Sequence, residues 1–568
     1  MAAQEPAYVA IAQRKQAALL AAIPAEWRLP AHLIPAGMLS PAESITEGPN
    51  RYGRVNVTEI PRTCGILTPK ELEITEKYDV RGLVSAMTGG KLKAEDVIRG
   101  FCKRAAIAHQ LTRCLTEPLF DRALRQAKEL DDHLQRTGTP VGPLHGLPVS
   151  VKDTFCVEGV DSSIGLSALA FKPARKNAAL VDLLQSLGAV IIAKTNVPQT
   201  LATLDSCNHL FVPGEGALLA MNGSMVGFGT DIGGSIRIPA MCQGLYGFKS
   251  SEGRVPYGGQ EGGQIEGKGR ISLQPVAGPL ARSVADIAAV MAEIVPRAEL
   301  VGEDCIPGYW PSPSVPASLA VPRNFTVGIL KTDGVVTPLP PITRILEEVA
   351  NHLRRTPGVE VVDIPLPPAL PKCQGLAGRL MGVDGGAHML DLIEGQGESL
   401  MPWLQGRMKR GPALTIDQLA KLQAQRTQIE REMMQMWTHS SSSSSRQVDA
   451  IVCPIAPHPV PQIDRYNAVG YTSAFVLLDY PAGVIPVRPF VESDLELGRE
   501  MNDPVLGSWD QANRQLWNEK TVDRRVYLDS PLSVQVVTPK QRDYELFQAM
   551  EIIDRAVQGR VGQTTSKL

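Results

Sequence analysis

The chain lacks an excess of charge of either sign. Its 57 Lys and Arg stand against 59 Asp and Glu, a formal net charge of -2. Charge this near zero gives no field to gather a polyanion, which argues against nucleic acid or an anionic membrane as partner. No basic stripe with interleaved aromatics occurs. Cysteine is thin, nine in 568 residues, with no Cys-x-x-Cys pairing. That fits a reducing compartment and argues against a disulfide framework. No apolar run is long enough to span a bilayer. Met1-Ala2-Ala3-Gln4-Glu5-Pro6 has neither the charge nor the apolar core of a secretory signal. Internal repeats are absent. No histidine stands in a recognisable triad context. Gly-x-Ser-x-Gly is missing around Ser235, which sets aside the hydrolase elbow.

What the chain does have is alternation. An amphipathic helix is expected from about Glu5 to Leu20, then a polar, extended stretch from Ser40 to Cys64. Thr68-Pro69-Lys70-Glu71-Leu72 starts a helix, with Thr as cap and Pro just inside. Phe101 to Leu115 and Leu119 to Leu134 read as helices, the second with apolar residues at three- and four-residue steps. His133 on it reads as a surface residue. Then Leu147 to Val151 is a strand, Ala178 to Leu187 a helix stopped by Gly188, and Ala189 to Ala193 a strand. Phe325 to Leu330 and Val359 to Ile364 bracket a helix at Ile342 to Leu353, and Asp449 to Pro454 is another strand. Such a pattern predicts an α/β fold, a mixed, largely parallel sheet sandwiched between helices. Ser440 to Ser445 reads as a solvated loop. Without a sharp linker, the organisation is an N-terminal helical arm at 1–66, one large domain at 67–557 and a flexible tail at 558–568.

The chemistry concentrates in Gly227-Phe228-Gly229-Thr230-Asp231-Ile232-Gly233-Gly234-Ser235-Ile236-Arg237-Ile238-Pro239. Glycines let a turn aim successive N–H groups at one spot, where an oxyanion can form. Ser235 stands at the end of that turn, placed as a nucleophile. A serine needs a base beside it, and lysine serves where no histidine is placed. Lys152, just after the strand in Gly146-Leu147-Pro148-Val149-Ser150-Val151-Lys152-Asp153, is the candidate, since partial burial lowers a lysine's pKa. The plain alternative is a surface pair between Lys152 and Asp153.

With these segments in view, the sequence resembles the amidase signature family, most closely its fungal acetamidase-like branch. The resembling segments run from about Leu67 to about Val557 and include Lys103 to Leu111, Gly146 to Asp153, Lys194 to Gln199, Gly214 to Pro239, Gly278 to Ser283 and Tyr466 to Ser473. The resemblance implies hydrolysis of carboxylic amides through a serine acyl-enzyme, on a small-molecule amide substrate, with no metal and no organic cofactor. Position by position it makes Ser235 the acylated nucleophile and Lys152 the base. Main-chain N–H groups of Ile232, Gly233, Gly234 and Ser235 become the oxyanion hole, and Leu201 lines the acyl pocket. Asp231 and Arg237 hold the loop.

One part of the family pattern is missing. The family carries a second serine in a Gly-Gly-Ser-Ser-Gly-Gly turn, which passes the proton between lysine and nucleophile. Here the chain runs Cys207-Asn208-His209-Leu210-Phe211-Val212-Pro213-Gly214-Glu215-Gly216, and the turn is absent. Ser206 and Ser224 are the nearby hydroxyls. Either coding sequence has been wrongly removed as an intron, or the chain is catalytically impaired. Two readings therefore stand, an amide hydrolase and an inactive binding or structural protein on the same scaffold. A third, an ammonia-releasing subunit of a transamidating enzyme, has no interface or channel signature. The last residues, Ser566-Lys567-Leu568, match the signal read by the peroxisomal import receptor. They lead us to expect a peroxisomal location, with the cytoplasm otherwise. The substrate is not legible, and the assembly, monomer or homodimer, stays open.

Overall fold

Short β-branched runs set between turn residues become strands wherever both of their faces are covered. In the computed structural model these are β1 (Leu115–Pro118), β2 (Pro148–Lys152), β3 (Val190–Thr195), β4 (Val226–Asp231), β5 (Tyr246–Lys249), β6 (Val276–Ala281), β7 (Phe325–Ile329), β8 (Val359–Asp363), β9 (Thr438–Ser441), β10 (Ser444–Gln447), β11 (Ala450–Cys453), β12 (Ala482–Pro489) and β13 (Pro531–Val537). The structure describes residues 6–35, 55–211, 214–265, 267–311, 325–441, 444–463, 465–466, 468–498 and 501–559. Residues 36–54, which take in most of the expected extended stretch from Ser40 to Cys64, and 560–568, with Ser566-Lys567-Leu568, lie outside them. The end of that stretch departs from the expectation, forming a short helix, Ile60–Thr63.

Eleven strands form one sheet in the order β1-β3-β2-β4-β6-β5-β12-β13-β11-β7-β8. The sheet is mixed, as expected. Parallel pairing occupies two blocks, β3-β2-β4 and β11-β7-β8. Antiparallel strands β6, β5, β12 and β13 join them. Side chains on β11 alternate between two cores. Ala450 and Val452 enter one, Ile451 and Cys453 the other, so both faces of the sheet are covered. On one side the helix Ala94–Thr112 lies against β2 and β3, burying Val97, Ile98 and Phe101 completely. Burying each such side chain contributes about 1.5–3 kcal/mol. The helix Arg237–Gln243 lies against β5, β12 and β13.

The expected helix starts are present. Thr68 caps Pro69–Lys77 in a reciprocal box with Glu71, and Gly188, at φ +88°, ends the helix before β3. The first helix, Ala7–Ala21, buries only a narrow strip of Ala12, Lys15 and Leu19. The serine run is a correction. Ser440, Ser441, Ser444 and Ser445 fall in two paired strands, β9 with β10, with Ser444 opposite Ser441. Backbone pairing needs no side-chain pattern, so low complexity did not signal it. Among the described residues no helix is long and apolar enough to cross a membrane.

Candidate active site

The glycine-rich run is the end of one strand and the start of one helix. β4 closes at Asp231, and the helix Arg237–Gln243 begins six residues later. In between, Gly234 takes φ +135°, and a Cβ there would stand 2.6 Å from both Ile238 Cδ1 and Thr472 Oγ1. Only glycine meets both demands. Asp231 and Arg237 brace the turn as expected. Both are wholly buried, and Arg237 Nε and Nη2 donate to the two carboxylate oxygens at 3.0 and 2.9 Å. Burial alone would raise the Asp231 carboxyl, but Arg237 holds it below the usual carboxylate range. Arg237 Nη1 also donates to Gln535 Oε1 at 3.2 Å, and Gln535 Nε2 donates to the carbonyls of Pro454 and Tyr471. Thr472 Oγ1 donates to the Gly233 carbonyl. The turn is thus clamped from the neighbouring helix Gly470–Leu477. Within it, the N–H groups of Ile232, Gly233, Gly234 and Ser235 make no hydrogen bond among the described residues.

Lys152 ends β2, beside β4. Its Nζ donates to Thr230 Oγ1 at 2.8 Å and more weakly to the Thr230 carbonyl at 3.4 Å. Burial pushes its pKa down to about 8, against the pull of Asp231 and Glu215. A surface pair with Asp153 is not what forms. Asp153 is wholly buried and faces Lys194 at 3.4 Å, while accepting from Thr116, Ser163 and the Ile164 N–H. Period-two geometry explains the separation, since neighbours along a strand point to opposite faces.

Lys152 and Ser235 line one cavity of about 290 Å³. Its apolar wall includes Leu204, Ile238, Met241, Leu280, Val460 and Tyr466. Gly229 lies in the wall, and Ile232, Gly233 and Gly234 lie in the turn leading to Ser235. Ile232 packs its side chain against the cluster that holds Phe475 and Leu370. Leu201 sits elsewhere, at φ +60°, against Ile164, Leu166, Val197 and Met389. The same segment reaches the cavity further on, through Thr203 to Cys207. Ser206 is therefore in the wall, whereas Ser224 is wholly buried and donates to the Val226 carbonyl at 3.0 Å. Val212 and Pro213, at the missing turn, lie outside the described residues.

Sequence reasoning passed over four residues here. Thr230 and Thr472 hold the lysine and the turn. His458 lies in the cavity wall, its ring against Tyr466, and burial pushes its pKa down to about 4, so it is neutral. Glu215 is also in the wall, its carboxyl accepting from the hydroxyls of Ser150 and Thr195. Its one sequence signal is a carboxylate between two glycines in a short apolar helix, Gly214-Glu215-Gly216-Ala217-Leu218-Leu219.

Comparison with known proteins bears on this geometry. A family model described as Amidase matches residues 96–547. An acetamidase of Aspergillus oryzae is 31% identical over 504 residues, covering 85% of this chain and 90% of the relative. Amidase 1 of Gibberella moniliformis is 35% identical over 510 residues, covering 86% and 95%. Among solved structures, a fatty acid amide hydrolase superposes with a TM-score of 0.83 at 24% identity, over 97% of this chain and 95% of the other. At that identity the likeness speaks for the fold.

Proposed function

Because the chain belongs to the amidase family, an enzyme family of amide hydrolases, we propose that it cleaves carboxylic amides through an acyl-enzyme on Ser235 with Lys152 as base. The observation that carries this reading is the sharing of one cavity by those two side chains. At pH 7 roughly a tenth of an amine with a pKa near 8 is neutral and able to take a proton. Ser235 Oγ bonds to the amide carbon as its proton passes to the Lys152 amine, and the carbonyl electron pair moves onto oxygen. The free N–H groups of Ile232 to Ser235 receive that charge. Each such donor is worth about 10²–10³ in rate. Collapse expels the amine or ammonia, which leaves with the proton returned by Lys152. Water then attacks the ester carbon and regenerates Ser235, giving the carboxylate. With the bridging turn absent, the proton travels directly or through Ser206, the hydroxyl on the same wall.

The test is covalent. A fluorophosphonate probe should label Ser235, Ser235→Ala should abolish labelling, and Lys152→Ala should slow it by about 10²–10⁴, the range for a lost general base. The missing turn favours a second reading, a cavity that holds an amide without turnover. Absence of labelling in the unaltered protein, with an amide still bound, would select it.

A further inference from the structure

We propose that Glu215 is the fixed counter-ion of Lys152, a positioning residue whose carboxylate stabilises the lysine ammonium once the nucleophile has given up its proton. The inference rests on the reading of Lys152 as base and extends it to a residue outside the family motif pair.

Three strands build the seat for this carboxylate. Ser150 stands two residues before Lys152 on β2, hence on the same face, and its Oγ donates to Glu215 Oε1. Thr195, opposite Lys152 across the β2–β3 pairing, donates from Oγ1 to Glu215 Oε2 at 2.6 Å. Gly227, opposite Ser150 across the β2–β4 pairing, leaves the space empty, since a Cβ there would collide with Glu215 Oε1. A larger residue at Gly227 would evict the carboxyl. This gives the first glycine of the run a purpose other than turn geometry. It keeps an ordinary extended conformation inside β4.

Both donors to Glu215 are neutral, and no arginine or lysine lies within ion-pair distance of it among the described residues. The other buried carboxylates nearby are already matched, Asp231 by Arg237 and Asp153 by Lys194. Asp231 also acts on Lys152, but with Arg237 bound to both its oxygens and Lys249 behind it, its net pull is offset. Glu215, by contrast, has only hydroxyl donors in contact with its carboxyl among the described residues. The cation that acts on it is Lys152. The Thr230 hydroxyl, His458 and the Cys114 thiol, pushed up to about 12 by burial, are neutral groups near the pair, and Asp205 is a further carboxylate in the cavity wall. Burial also pushes Glu215 up to about 7, against its two hydroxyl donors and Lys152. A carboxylate in this place does for a lysine what the aspartate of a serine triad does for its histidine.

The sign of the effect is fixed by charge. An adjacent anion favours the ammonium, so a neutral side chain at 215 must lower the lysine's affinity for its proton. The measurement is competitive acetylation of Lys152 with acetic anhydride as a function of pH, read by mass spectrometry of its peptide. It needs no turnover. In Glu215→Gln the titration midpoint should fall by about one unit, the lower end of the effect of a nearby opposite charge. Glu215→Asp, which keeps the charge, should stay close to the unaltered protein. An unchanged midpoint in Glu215→Gln, or an equal fall in Glu215→Asp, overturns the proposal. Should Glu215→Gln not fold, Thr195→Val removes one donor and makes the carboxylate easier to protonate. A smaller fall in the same direction is then expected, and none would overturn it. Fluorophosphonate labelling of Ser235 in the unaltered protein is scored separately, so a failed hydrolase reading and a failed counter-ion leave different records.

Discussion

Two buried lysines end neighbouring strands, and they are treated in opposite ways. Lys194, near the end of β3, has every donor engaged. Its Nζ meets the Asp161 carbonyl at 2.5 Å, Ser162 Oγ at 2.6 Å and Asp153 Oδ1 at 3.4 Å. Lys152, at the end of β2, has one good partner among the described residues, Thr230 Oγ1, and opens onto a cavity. An ammonium has three donors to place. The first lysine is saturated and matched by a carboxylate in contact. The second is left with spare capacity and an anion held at one remove. Burial of a lysine is thus no sign of chemistry by itself, and the informative feature is incomplete pairing beside an empty space.

The comparison can be broken most directly by exchanging losses. Ser235→Ala should abolish probe labelling and amide turnover, and Lys152→Ala should reduce both by about 10²–10⁴-fold, the range for a lost general base. Their thermal unfolding should stay within a few degrees of the unaltered protein. Lys194→Ala should do the reverse and lose about 3–5 kcal/mol of stability in urea unfolding, because Asp153 is left buried without its cation. If Lys152→Ala proves as destabilising as Lys194→Ala, the two residues share a structural role and the distinction fails.

A pH series sharpens the same contrast. The Lys152 pKa is lowered on folding, from 10.5 to about 8. Its neutral form is the one the fold favours, so labelling of Ser235 should rise with pH through a limb near 8. Linkage carries the same sign. Below about 8 the buried ammonium costs stability, and that cost is relieved as pH climbs from 8 towards 10.5. Lys152→Met should lack both the limb and the relief, read by labelling rate and urea midpoint at each pH. The smallest change expected is in Ser206→Ala. A direct proton path leaves labelling within about threefold of normal, whereas a relay through this hydroxyl costs about 10²-fold or more.

The two side chains that line one cavity, Ser235 and Lys152, and the Asp231–Arg237 brace could be singled out in the sequence because each is encoded locally. Glycines, a serine and a following arginine are read within nine residues, and Lys152 follows a short apolar run that reads as a strand. Thr68 with Glu71 was legible for the same reason. Glu215 was not, because its meaning depends on Ser150, Thr195 and Gly227 arriving from three strands in one register. Leu201 shows the converse. The cavity takes in Thr203 to Cys207 of the same segment, but Thr200 and Leu201, two consecutive residues at positive φ, leave Leu201 against a separate cluster. Periodicity also gave the strands without giving their partners, so the antiparallel middle of the sheet was hidden. The pairing of the serine strands was hidden more completely, because identical residues have no pattern to read.

The first helix carries a consequence of its own. Lys15 reaches into the body of the protein to meet Glu117 on β1 and Asp161, and Arg14 lies 3.5 Å over the ring of Phe171. Burial pushes Glu117 up to about 7 even with that ammonium beside it. β1 is also a rim of the eleven-stranded sheet. Trimming the chain ahead of Ala22 would take the shared cation from two carboxylates and uncover β1 at once. Such an edge invites strands from other molecules to add to it, so the shortened protein should clump rather than merely loosen.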